Sequence, residues 1–129
     1  MEKKKIIIVD DEEDFLEITK LNLEKTGKYE IMTLSSAKNI ITKLHEFKPD
    51  VILLDVLMPG IDGLTACEML NKDPLGISTP IIIISALSSN RDKLKAYKLG
   101  VVDYLTKPID KNTIIASIEK SFKYKILEQ

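Results

Sequence analysis

Apolar residues in this chain gather into short, β-branched blocks, and each block stops at a polar residue. Ile6-Ile7-Ile8-Val9 runs into Asp10-Asp11, Val51-Ile52-Leu53-Leu54 into Asp55, and Ile81-Ile82-Ile83-Ile84 into Ser85. Val101-Val102-Asp103-Tyr104-Leu105-Thr106 runs into Lys107-Pro108. The blocks are continuous rather than alternating, which predicts strands covered on both faces, as in a parallel sheet. A fifth block, Tyr29 to Leu34, is less apolar and reads as an edge strand.

Helical spacing fills the gaps. In 12–26, Phe15, Ile18 and Leu21 recur at three-residue steps, with Gly27 as a C-terminal stop. Ser36 is a cap for a helix over 37–47 carrying Ile40, Ile41 and Leu44, and Asp62 for one with Leu64, Cys67 and Leu70 on one face. A fourth helix starts after Ser89 and ends before Gly100, with Leu94, Ala96 and Tyr97 available for packing. The fifth starts near Asp110 and carries Ile114, Ile115, Ile118 and Phe122, with Lys120, Lys123 and Lys125 in its last turns, where cations suit the helix dipole. Five strand–helix repeats with short crossovers predict a three-layer α/β sandwich. The 129 residues form one domain, with no internal repeat, low-complexity tract or linker.

Composition narrows the function. Hydrophobic residues make up 44% of the chain, enough for a core. Nineteen basic residues against 20 acidic ones leave a net charge of −1, which gives no electrostatic case for nucleic acid or a membrane surface. Arg91 is the only arginine. No apolar run approaches the ~20 residues that span a bilayer. Met-Glu-Lys-Lys-Lys before a four-residue apolar run lacks the h-region of a signal peptide, so a cytoplasmic location is expected. Cys67 is alone and can form no internal disulfide, in keeping with a reducing compartment.

If the blocks are parallel strands, their polar ends share one edge, where open α/β sheets bind ligands. Asp10, Asp11 and Asp55 would repel one another there and raise at least one pKa. A hard divalent cation relieves that repulsion, and Mg²⁺, which takes a few carboxylates, waters and phosphate oxygens, suits the set. The competing reading makes Asp10 and Asp11 capping and first-turn acids of the helix from Glu12. Asp55 weighs against that, because Met58-Pro59-Gly60 follows it and no immediate helix needs a cap. Lys107 is either a solvated strand-end lysine or an ammonium that holds a phosphoryl oxygen. Pro108 restricts its backbone to extended geometry, and such a bond can be cis in a tight turn. Ser85 is either a turn residue or a hydroxyl donor to a second phosphoryl oxygen.

Taken together, Asp10-Asp11, Asp55 through Gly60, Asp62-Gly63, Ser85-Ala86 and Asp103 through Pro108 resemble the receiver domain of two-component response regulators. The resemblance, chemotaxis-receiver-like, runs from about residue 4 to 124. It implies a flavodoxin-like (βα)₅ fold with strand order 2-1-3-4-5, and a phosphorylated signalling protein rather than an enzyme with its own substrate. Asp55 would accept a phosphoryl group from a phosphohistidine on a sensor histidine kinase or histidine phosphotransfer protein. Asp10, Asp11, Asp55 and the Leu57 carbonyl would hold Mg²⁺, with Mn²⁺ as a substitute. Lys107 would contact the acyl phosphate, Ser85 would shift to it, and Tyr104 would turn inward. The face of the fourth helix and fifth strand would then control a downstream protein, an output domain or a phosphorylation-dependent homodimer.

Residues 57 and 87, two after Asp55 and Ser85, are leucines where the family often has polar residues that help hydrolytic water. A slow-decaying phosphoform is therefore expected. Val101, branched where the family has a small residue, is expected to tighten packing near Tyr104. A phosphatase of the haloacid-dehalogenase type would need an Asp-x-Asp pair, whereas these acids are adjacent. An interaction domain that works without phosphorylation would be expected to lose one of these positions, and none is lost. His45 reads as a surface or satisfied histidine with no second metal-type residue beside it, Cys67 as a small hydrophobe, and Lys3-Lys4-Lys5 as a solvated lead-in. No output segment follows the fifth helix, so the chain is expected either to act alone or to be the N-terminal part of a larger regulator.

Overall fold

The five blocks do become parallel strands. In the computed structural model, which describes residues 2–127 and the side chains as far as 123, β1 (Lys4–Val9), β2 (Tyr29–Leu34), β3 (Val51–Leu54), β4 (Ile81–Ser85) and β5 (Asp103–Thr106) form one sheet of order 2-1-3-4-5. Helices α1 (Glu13–Glu24), α2 (Ile40–Phe47), α3 (Gly63–Asn71), α4 (Asn90–Lys98) and α5 (Lys111–Leu127) make the crossovers, with a short 3₁₀ turn at Gly76–Ser78. β2 is an edge strand, as its weaker apolarity predicts, and β5 is the other.

Strand pleating explains why the blocks are continuous. Ile7, Val9, Ile52, Leu54, Ile81 and Ile83 point to one face, where Ile40, Leu44, Ala66, Cys67, Leu70 and Ala96 cover them. Ile6, Ile8, Val51, Leu53, Ile82 and Ile84 point to the other, under Leu16, Leu23, Ile114 and Ile118. Every residue of β3 and β4 is buried, so neither can show polar alternation. Val9 aligns with Leu54, which places Asp10 and Asp55 side by side one step beyond the ladder.

The helices depart from expectation in two places, one buried face and one boundary. α1 exists, but Ile18 and Leu21 are 60% and 55% exposed, while Leu16, Thr19 and Leu23 are buried. Three-residue steps drift backward because each residue turns about 100°, so Phe15, Ile18 and Leu21 spiral off the core, whereas a 3-then-4 step stays on it. α2 begins at Ile40, not 37; Ser36 accepts a bond from the Lys38 amide instead of capping the helix.

The remaining stops and starts hold. Asp62 accepts from the Thr65 amide at 2.8 Å and Ser89 from the Asp92 amide at 3.1 Å. Asp110 accepts from the Thr113 amide at 2.7 Å at the start of α5. α4 buries Ala96 and leaves Leu94 and Tyr97 largely exposed. Lys125 lies outside the described side chains. Among the described residues, no helix is long and apolar enough to cross a membrane.

Candidate functional site

Backbone bonds lock the strand ends together before any side chain acts. The Asp10 amide donates to the Leu34 carbonyl, the Asp55 amide to the Val9 carbonyl at 2.9 Å, and the Lys107 amide to the Ser85 carbonyl at 2.8 Å. α3 starts hard against this edge. The Gly63 amide donates to the Val56 carbonyl, and a Cβ on Gly63 would sit 2.2 Å from the Asp55 carbonyl oxygen, so only glycine fits. The Lys107–Pro108 peptide bond is cis.

On this frame Asp10, Asp11 and Asp55 each offer a carboxylate oxygen within 4.8 Å of the others. Asp10 and Asp55 are buried and Asp11 is exposed. Lys107 donates to Asp10 Oδ2 at 2.7 Å and to Glu12 Oε1 at 2.7 Å, and its Nζ stands 3.8 Å from Asp55 Oδ2. Its ammonium also lies 4.4 Å from the centroid of the Phe15 ring. Burial would lower the Lys107 pKa, but the hydrogen bonds to Asp10 and Glu12 outweigh it and the net direction is up.

Asp55 is under the opposite pressure. Burial, and then the charge of Asp10, push its carboxyl up to about 6, against the opposing pull of Lys107 and of the Leu57 amide, which donates to Oδ1 at 3.2 Å. Three hard oxygen donors around a carboxyl too crowded to ionise freely fit a divalent cation such as Mg²⁺. The capping reading of the paired acids fails: α1 is entered through Glu12 without a side-chain cap bond, and Asp10 Oδ1 accepts instead from the Glu12 amide at 2.8 Å.

Ser85 is fully buried at the end of β4, and its Oγ accepts from the Leu87 amide at 3.1 Å. The Tyr104 ring, expected to turn inward on phosphorylation, already lies inward without it, 7% exposed, with its hydroxyl donating to the Leu87 carbonyl at 2.7 Å. Burial raises the Tyr104 phenol above its usual pKa, and the neighbouring Ser85 hydroxyl opposes this. Leu87 therefore joins the Ser85 turn to the Tyr104 ring. Val101 is buried in the same apolar cluster as Tyr104. Leu57, expected to shield the site, is 52% exposed at its mouth, while Leu87 packs on the core.

Two residues at the site escaped the sequence reading. Glu12 looks like one more first-turn acid, and Phe15 like one more apolar helix position; both engage Lys107. Away from the site, His45 does have a ligand-type neighbour, Asp73, 28 positions on, with Nε2 2.7 Å from Oδ2. The pair joins α2 to the segment after α3, and among the described residues no metal-type cluster includes it. Burial pushes the Cys67 thiol up to about 12, so it behaves as a core hydrophobe.

Comparison with known proteins agrees with this arrangement. Residues 6–119 match the family model of the response regulator receiver domain. The alkaline phosphatase synthesis transcriptional regulatory protein PhoP of Bacillus subtilis is 36% identical over 116 residues, covering 90% of this chain; the chain spans 47% of that protein's length. The signal receiver domain of a signal transduction histidine kinase from Syntrophus aciditrophicus superimposes with a TM-score of 0.83 at 30% identity, over 93% of this chain and 90% of that one. A CheY-like receiver domain protein from Methanospirillum hungatei shares the fold, with a TM-score of 0.89 at 24% identity over 99% and 100% of the two chains. With its acidic pocket at the carboxyl edge of a 2-1-3-4-5 sheet, this chain belongs to the response regulator receiver domain family.

Proposed function

We propose that this chain is a phospho-accepting switch in which Asp55 takes a phosphoryl group from a phosphohistidine of a sensor histidine kinase or histidine phosphotransfer protein. The observation that carries this is the meeting of the buried Asp55 with Asp10, Asp11 and Lys107 on one edge. In the step, the P–N bond of the phosphohistidine breaks, a P–O bond forms to an Asp55 carboxylate oxygen, and the imidazole leaves with the bonding electrons. Asp10, Asp11, Asp55 and the Leu57 carbonyl would hold Mg²⁺, or Mn²⁺ as a substitute, which would supply charge neutralisation to the phosphoryl group there. Lys107 supplies a second positive charge, and the strand-end backbone bonds fix Asp55 for in-line attack. The domain catalyses only its own phosphorylation and dephosphorylation, and residues 1–129 act as one receiver unit.

Ser85 and Tyr104 carry the signal outward. A phosphoryl oxygen that draws the Ser85 hydroxyl disturbs the turn to Leu87, whose carbonyl holds Tyr104. The α4–β5 face then has two packings for a downstream protein, an output domain or a second copy to distinguish. The phosphohistidine donor implies a cytoplasmic setting, and the balanced charge gives this domain no nucleic-acid surface of its own.

Incubation with acetyl phosphate and Mg²⁺ tests the reading. Expected is one base-labile phosphoryl group per chain, lost in Asp55→Asn and greatly slowed in Lys107→Ala. Multiple turnover of unrelated phosphomonoesters would mean a phosphatase, and no labelling at all would mean an interaction domain that works without phosphorylation.

A further inference from the structure

Lys107 has more partners than an acyl-phosphate ligand needs. Its ammonium carries three N–H donors. One goes to Asp10 Oδ2 and one to Glu12 Oε1, both at 2.7 Å, while Asp55 Oδ2 stands off at 3.8 Å, beyond hydrogen-bond distance. The Phe15 ring, 4.4 Å away at its centroid, covers another side, and the lysine side chain is only 13% exposed. The two carboxylates that hold it differ sharply. The Asp10 side chain is 1% exposed and fixed by the Glu12 amide; that of Glu12 is 64% exposed. A buried carboxylate that loses its cation is left unsolvated, which is costly, whereas an exposed one is rehydrated at once. Glu12 is thus the partner that can let go cheaply.

We infer that Glu12 is a positioning residue that parks Lys107 on the Phe15 ring, away from Asp55, in the unphosphorylated protein. A phosphoryl group on Asp55 takes over the Glu12 hydrogen bond, and Glu12 swings into solvent. The inference rests on the phosphoacceptor reading and adds an element to it. Glu12 stabilises only the resting state, so it sets how readily the phosphorylated state forms. Phe15 keeps the released ammonium at the site by a cation–π contact that survives the exchange of partners.

The test measures fluoroberyllate affinity at saturating Mg²⁺ by NMR titration, together with the acetyl phosphate labelling rate. Glu12→Gln should bind fluoroberyllate about three- to five-fold more tightly, the scale of losing one exposed ion pair. Glu13→Gln removes the same charge one residue along, and it should leave the affinity within experimental error. In a Lys107→Gln background, Glu12→Gln should have no further effect. A third readout uses the protein alone: the Lys107 side-chain ¹⁵Nζ resonance should shift in Glu12→Gln without ligand and match wild type once fluoroberyllate is bound. Equal effects of Glu12→Gln and Glu13→Gln, an effect that persists without Lys107, or an unchanged Lys107 resonance would each overturn the latch. Those outcomes leave the phosphoacceptor reading intact, since it fails separately if wild-type protein takes up neither fluoroberyllate nor phosphoryl.

Discussion

The two edges of the sheet handle charge in opposite ways. At the amino edge, several polar groups meet partners of suited charge. The Lys5 amide donates to Asp50, the Tyr29 hydroxyl to Glu119, and Lys4 and Lys5 lie over the rings of Phe122 and Phe47 at 5.4 and 5.3 Å. At the carboxyl edge, three carboxylates crowd within 4.8 Å and two of them share Lys107 with Glu12. One edge is arranged for stability. The other retains a repulsion that a divalent cation would relieve.

Backbone packing gives the largest test of this contrast, because each edge contains one glycine that no Cβ could replace. A Cβ at Gly63 would lie 2.2 Å from the Asp55 carbonyl oxygen, and one at Gly76 would lie 2.3 Å from that of Leu70. Forcing either into place costs about 3 kcal/mol, at the upper end for overpacking. Gly63→Ala and Gly76→Ala should therefore lose similar stability in urea unfolding. Only Gly63→Ala should slow acetyl phosphate labelling of the folded protein, because only there does the displaced backbone belong to Asp55, the proposed phosphoacceptor. Equal labelling rates would break the assignment of Gly63 to the site.

Removing a polar group should have opposite signs at the two edges. Tyr29 is buried and bonded to Glu119, so Tyr29→Phe should destabilise by about 1 kcal/mol, as expected for one lost hydrogen bond. Asp55 is raised from 3.8 to about 6, so the metal-free fold favours its protonated form. Its contribution to stability is fully present below pH 3.8 and is lost as pH rises through about 6. At pH 7.5 in a chelator, Asp55→Asn should thus be more stable than wild type by about 1–2 kcal/mol, below the ceiling of about 3 that the elevation allows. The gain should fade toward pH 4 and shrink when Mg²⁺ is added. A destabilised Asp55→Asn at pH 7.5 would mean that the carboxylate is adequately paired by Lys107.

How much of this was legible in the sequence follows from the kind of signal each feature leaves. β-Branched blocks ending at polar residues reveal both the strands and the shared edge, because in β3 and β4 burial on both faces leaves only the terminal residue polar. The strand order leaves no such trace and came from the resemblance, since periodicity carries no information on which strands are neighbours. The buried face of α1 cannot be read from Ile18 and Leu21, which are apolar yet exposed. Glu12 escaped because an acid at the start of a helix already has an ordinary explanation. His45 and Asp73, 28 residues apart, meet only through the packing of α2 on the chain after α3. Long-range pairs of single polar residues have no local pattern to betray them.

The smallest expected effect concerns water at the carboxyl edge. Leu57 and Leu87 flank the site, but they do so differently: Leu57 is 52% exposed at the mouth, whereas Leu87 packs on the core and joins the Ser85 turn to Tyr104. An apolar side chain in either place offers no hydrogen bond to a water attacking the acyl phosphate. Leu57→Asn should shorten the phosphoform lifetime about three-fold, or about 0.7 kcal/mol in the barrier. Its side chain is free enough to orient a water, and little packing is lost. Leu87→Asn should have a weaker effect on decay, because a half-buried amide is held by its surroundings and also perturbs the Tyr104 contact. Lys28→Asn, at the opposite edge, should leave decay unchanged. Identical lifetimes for wild type and both leucine variants would mean that these side chains do not limit access of water to the phosphoryl group.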